Sequence, residues 1–134
     1  MKTESQPDIQ FTARTGLPLT ATVDRLSERL KSSGYGVLST IDVGRTIMEK
    51  TGKDTGEMIV LEVCKPAHAL TAIQGGGPGM LLLPCRITLR AEGDHTVVST
   101  ISPRLMIKMV GDRGLEEMAG KVEEDLRQVM ADIE

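Results

Sequence analysis

The sequence predicts an α+β domain with a largely antiparallel sheet and its long helices on one face. Three observations carry that expectation. Five short runs of β-branched or alternating apolar residues recur along the chain. Two of them flank the polar turn Glu92, Gly93 and Asp94 as a hairpin. An unbroken amphipathic stripe then closes the chain.

Taken in order, residues 1–7 read as an N-terminal tail and residues 8–134 as a single domain. The first strand is expected over 8–14 (DIQFTAR). A helix follows Pro18, with Leu19, Val23, Leu26 and Leu30 on one side and Gly34 placed to end it in a left-handed turn. Residues 36–41 (GVLSTI) form the next strand. Between Asp42 and Gly52 a short helix is expected, capped by the Asp42 carboxylate. Residues 58–64 (MIVLEVC) return as a strand, and a helix starts at Pro66, where a missing amide costs nothing. It stops at Gln74, before the glycines. Residues 80–90 (MLLLPCRITLR) and 95–101 (HTVVSTI) are the hairpin strands. From Leu115 the apolar positions Met118, Ala119, Val122, Leu126, Val129, Met130 and Ile133 mark one face of the last helix.

A chain of 134 residues buries about two thirds of its unfolded surface, so one core suffices without a disulfide. One Tyr, one Phe and no Trp leave that core to Leu, Ile, Val and eight Met, whose flexible thioethers fill irregular gaps. The net charge of -3 and the scarcity of aromatics argue against a nucleic-acid partner, which needs a basic stripe or stacking platforms. The start MKTESQPDIQ lacks an apolar signal region, and no run is long enough to span a membrane. The expectation is a cytoplasmic protein, reduced and with no membrane partner.

Four stretches resemble one family. They are GYGVLSTID at 34–42, CKPAHALTAI at 64–73, LLLPCRITL at 81–89 and VVSTISP at 97–103. In order and spacing they are similar to the domain of unknown function numbered 302, over roughly residues 8 to 131. The resemblance implies a small homodimer with a TATA-binding-protein-like fold: a curved antiparallel sheet in a β-α-β(4)-α order, with small inserted helices. It also brings haem in as a candidate cofactor. The chain departs from the family's usual residues at Lys65, Leu70, Arg86 and Ser102, where Asn, His or Tyr, Asn and Asp are common.

The chemistry-bearing residues gather around the two cysteines. Cys64 ends a strand just before the helix at Pro66, so free amides and the positive end of the helix dipole face it, with Lys65 adding a cation. That setting lowers a thiol pKa; alternatively the residue is a small buried hydrophobe. By alternation Cys64 shares a face with Val60 and Glu62, opposite Ile59, Leu61 and Val63. Cys85 falls with Ile87 and Leu89, the core reading, and Pro84 beside it signals an edge strand or a bulge. A Cys64–Cys85 disulfide, and a metal set of Cys64, His68, Cys85 and His95 at a non-standard spacing, stay open as lesser readings. GGGPG at 75–79 lacks the Lys-Ser/Thr of a phosphate loop and reads as a flexible connection. Glu116, Glu117, Glu123, Glu124 and Asp125 read as a solvated face.

The leading expectation is therefore a non-catalytic, homodimeric protein that binds a small molecule, haem or another thiol-liganded group. Its site would comprise Cys64, Lys65, Pro66, His68, Pro84, Cys85 and Arg86, with no dedicated metal site. The alternatives are a redox or sulfur-transfer protein using Cys64, and a structural or partner-binding module.

Overall fold

A computed structural model describes residues 3–6, 9–131 and 133. The strands are β1 (Thr3–Gln6), β2 (Gln10–Thr15), β3 (Gly36–Asp42), β4 (Met58–Cys64), β5 (Cys85–Glu92) and β6 (His95–Ile101). The helices are α1 (Leu19–Ser32), α2 (Val43–Thr51), α3 (Pro66–Gly75), α4 (Pro103–Val110) and α5 (Glu116–Ala131), with 3-10 turns at Pro78–Leu82 and Arg113–Leu115. The sheet runs β1-β2-β6-β5-β4-β3 and every pairing is antiparallel. Five strands of six to eight residues make its body, and four-residue β1 extends one edge. Of the expected tail, Thr3–Gln6 thus pairs with β2; its polar TESQ sequence has no apolar alternation to announce a strand.

Alternation sorts the sheet into two faces. Phe11 and Ala13 on β2, Leu61 and Val63 on β4, Ile87 and Leu89 on β5 and Val98 on β6 are wholly buried on one face. They meet Leu26 and Leu30 of α1 and Leu126 and Met130 of α5 in one core. Apart from Ala13, each such side chain contributes about 1.5–3 kcal/mol on burial, so a one-residue slip of register would expose the whole set. No helix among the described residues is long and apolar enough to cross a membrane.

Local signals act as expected at several ends. The Asp42 carboxylate accepts from the Arg45 amide at 3.0 Å to cap α2. Gly34, at φ 87°, follows α1 in the left-handed conformation.

Four expectations are corrected. Residues 80–84 are not strand: a 3-10 turn occupies Pro78–Leu82 and β5 starts at Cys85, after the cis Leu83–Pro84 peptide. Pro84 marks neither an edge nor a bulge. It precedes a central strand, where a missing donor disturbs no ladder, and the register shift of the sheet lies in β3 between Val37 and Ser39. The GGGPG segment is not a loose connection. The Gly79 amide donates to Asp112 Oδ2 at 2.9 Å, and a Cβ on Gly77 would lie 2.6 Å from that oxygen. On Gly79 a Cβ would collide with Leu115 Cδ1. Glycine is used here for close approach.

The fourth correction concerns the acidic face of α5. Glu123 is only 6% exposed. It accepts from the Ser102 hydroxyl and, at 3.4 Å, from the Arg104 amide, while Arg127 Nε lies 3.5 Å from its other oxygen. Ser102 in turn caps α4 by accepting from the Leu105 amide at 3.2 Å. This helix was missed in the sequence, although Ser102, Pro103 and Gly111 are an N-cap, an N1 proline and a left-handed C-cap.

Two glycines separate close approach from mere absence of a side chain. Gly79→Ala is expected to lower unfolding stability by about 1–3 kcal/mol through overpacking against Leu115 and Asp112. Gly75→Ala, in α3 with nothing within 4 Å, is expected to raise it by roughly 0.5–1 kcal/mol. Chemical denaturation of both variants checks the opposite signs.

Candidate functional site

A cavity of about 490 Å³ lies at the end of the sheet where β4 finishes and β5 begins. One wall is α3, through His68, Ala69 and Ala72; a second is the 3-10 turn and its exit, through Leu82, Leu83 and Pro84. Met106 and Ile107 of α4 and Met118 and Val122 of α5 complete the apolar interior. The lining continues past the start of β5 onto the sheet face that carries no core cluster, at Arg86, Thr88 and Arg90. Cavities of this size and mixed lining suit a small organic molecule.

Six of the seven residues picked from the sequence line this cavity: Cys64, Lys65, His68, Pro84, Cys85 and Arg86. Pro66 does not; it is exposed in the first turn of α3, where it sets the helix start. What the sequence could not supply was the far wall. Met106 and Ile107 sit on the missed α4, and Gln10, Ser99 and Ile101 come from strands distant in the chain.

The two thiols are free and both half-buried. Register pairs Cys85 with Val63, so Cys64 and Cys85 are diagonal neighbours on adjacent strands and alternate onto opposite faces. The cavity reaches both because it wraps the end of the sheet. Burial pushes the Cys85 thiol up, and the neighbouring Cys64 adds to the effect, so Cys85 is held protonated. His95 lies at the hairpin, paired with Glu92, at the opposite end of β5 from Cys85, and its Nδ1 is 3.3 Å from Asp94. The four-residue metal set is thereby ruled out. Among the described residues no three His, Cys, Asp or Glu side chains come together as a metal site.

Lys65 does not serve Cys64 in the expected way. Its ammonium lies 4.0 Å from Asp125 Oδ2 and 5.6 Å from the centroid of the Tyr35 ring. The Tyr35 hydroxyl donates to the same Asp125 oxygen at 3.0 Å, and Lys121 reaches the other oxygen at 3.6 Å. Burial, then the Asp125 carboxylate, push the Tyr35 hydroxyl far above its ordinary range, so it stays a donor. Asp125, expected on the solvated face, is thus the junction between α5, the start of α3 and the residue before β3. Nothing in the sequence pairs Tyr35 with a residue ninety positions away.

Arg86 answers Glu62, its cross-strand partner, at 3.4 Å. His68 is different: its Nδ1 is buried with no hydrogen-bond partner. Burial and the positive charge of Lys65 lower its pKa, outweighing Asp125, and the imidazole is held neutral.

The fold and site define an α+β protein with one helix-covered sheet face and an apolar cavity at the sheet's end. The chain belongs to the family described as Domain of unknown function DUF302, whose profile matches residues 11–133. A similar solved structure is the crystal structure of an uncharacterized conserved DUF302 protein from Bacillus stearothermophilus. It matches with a TM-score of 0.87 and 27% identity, over 93% of this chain and 98% of that one. No curated protein matches the chain.

The lowered pKa of His68 makes stability depend on pH. As pH falls through 6.5 the unfolded chain takes up a proton that the folded imidazole still refuses. The stability contributed by neutral His68 is therefore present above 6.5 and lost as pH falls toward the folded value. Thermal unfolding across that range should show the native chain losing Tm more steeply with acid than His68→Gln, with the two slopes converging above it.

Proposed function

We propose that this protein binds, without catalysing a reaction, a small molecule with a largely apolar body in the cavity between α3, α4, α5 and the start of β5. The single observation that carries the reading is that residues of two stretches remote in sequence, Cys64 to His68 and Pro84 to Arg86, line one apolar cavity of about 490 Å³. Haem is the named candidate, and the residues fit it. His68 offers a neutral imidazole with an unpartnered buried ring nitrogen, and the apolar walls suit a macrocycle. His68 would hold the iron, and the group when bound would supply redox or gas-binding chemistry. The chain's own residues hold, orient and exclude water.

In this reading the protein works as a homodimer in the cytoplasm. Residues 66–85 contain no Asp, Glu, Lys or Arg, yet Leu70 and Ile73 of α3 and Leu81 are more than half exposed. Such an uncharged apolar surface supports burial against a second subunit. Two free thiols suit a reducing compartment. The β-α-β(4)-α order running from β2 to α5 supports a TATA-binding-protein-like fold. Thiol chemistry at Cys64 draws on its place before α3, but the Lys65 ammonium is turned to Asp125 and Tyr35.

Native mass spectrometry with an absorption spectrum of the untreated protein tests the reading. A bound mass is expected, or uptake of added haem or decanol that raises stability by about 2.7 kcal/mol at one hundred times Kd. Ala69→Trp, which places a ring in the cavity, should abolish that uptake. Bare subunits that take up neither compound would overturn the proposal.

A further inference from the structure

The uncovered face of the sheet carries a polar pattern that the core does not need. On this face of β5 stand Arg86, Thr88 and Arg90, spaced two residues apart on a central strand, so about 13 Å separates the outer two. Register sets Thr12, Ser99 and Thr88 side by side across β2, β6 and β5. Thr12 and Ser99 share a hydrogen bond at 3.0 Å, and Gln10 Nε2 donates to Thr12 at 3.3 Å. The Thr88 hydroxyl makes no hydrogen bond to another described residue and faces the cavity.

Arg90, exposed on this face, differs from Arg86. An opposite charge across the strand stabilises a residue there, as Glu62 does Arg86 at 3.4 Å. The cross-strand neighbours of Arg90 are Met58 and Val97, both apolar. No carboxylate pairs with it among the described residues, although it lines the cavity. A guanidinium beside two half-buried hydroxyls offers planar donors to an anion. Arg86 adds a second cation, with Glu62 as the one carboxylate that opposes it.

We propose that this face anchors an anionic group, a carboxylate or its equivalent, on the molecule whose apolar body fills the cavity. Arg90 is the principal contact, with Thr88, Ser99 and Arg86 beside it. The assignment rests on the reading of the cavity as a binding site and adds the charge of the ligand to it. The ligand class is then amphipathic: one end apolar against α3, α4 and α5, the other anionic on β5 and β6.

Calorimetric titration with decanoate and decanol separates the two claims. The native protein should bind decanoate more tightly, and added salt should weaken decanoate alone. Arg90→Gln should weaken decanoate by about tenfold or more, as for a lost charged hydrogen bond, and leave decanol unchanged. Thr88→Val should weaken decanoate by a smaller factor, while Lys31→Gln, which removes the same charge from the exposed last turn of α1 on the opposite face of the sheet, should leave both ligands unchanged. Equal affinity for the two compounds, or decanoate binding indifferent to Arg90→Gln, would overturn the anion site and leave the apolar cavity standing. Binding of neither compound would overturn both.

Discussion

Glu123 puts a carboxylate inside the protein, where an unpaired charge would cost several kcal/mol, about the whole margin by which a small domain is stable. It is tolerated because every direction it faces is answered. The Ser102 hydroxyl and the Arg104 amide bring it the start of α4, and Arg127 brings a guanidinium that also lies 4.3 Å from the centroid of the Phe11 ring. One side chain of α5 therefore fixes where α4 begins and links it to the core of the sheet. The rest of the lower half follows. With α4 held, Ile107 and Leu115 close on Ala72 and Ala119, and Asp112 is positioned to receive the Gly79 amide.

Asp125, two residues further along the same helix, performs the matching task on the other side. Through Tyr35 and Lys65 it holds the segment before β3 and the residue before α3. Helix α5 thus grips the starts of two short helices that touch opposite sides of the cavity. The cavity is the space left between elements held both by these polar contacts and by the apolar cluster of Ala72, Ile107, Leu115 and Ala119, with Leu82, Leu83 and Met118 packed against it. The main core between sheet, α1 and α5 and the smaller cluster between α3, α4 and α5 are separate, and the cavity is lined from both.

The placement of charge around this space follows from strand parity. Cys85 and Arg86 are adjacent in sequence, yet one thiol packs toward the core while the guanidinium stands on the opposite face. A cavity that wraps the end of the sheet meets both environments within a few ångströms of backbone. This is the physical basis for a site with an apolar interior and a cationic rim, and it needs no residue outside ordinary strand geometry.

The amino-acid sequence by itself determined the elements whose signals are local. Strands β4 and β6 begin and end where alternation and β-branching place them, and α1, α2, α3 and α5 start where Pro18, Asp42, Pro66 and Leu115 indicate. Their order was enough for the α+β class and for the helix-covered face, because side-chain parity is a property of each strand alone. It also picked out most of the first wall of the site, since Cys64 to His68 and Pro84 to Arg86 lie in two short stretches. Only the tertiary structure decided the rest. Glu123 and Asp125 look like solvent-facing acids until Ser102 and Tyr35, far away in the chain, are brought against them. Gly77 and Gly79 look like slack until Asp112 and Leu115 occupy the space their side chains would need. Arg90 looks like one more surface charge until register sets it between Met58 and Val97, with no counter-ion among the described residues. In each case the deciding quantity is a contact between residues remote in sequence, and no local pattern of residue types encodes the partner.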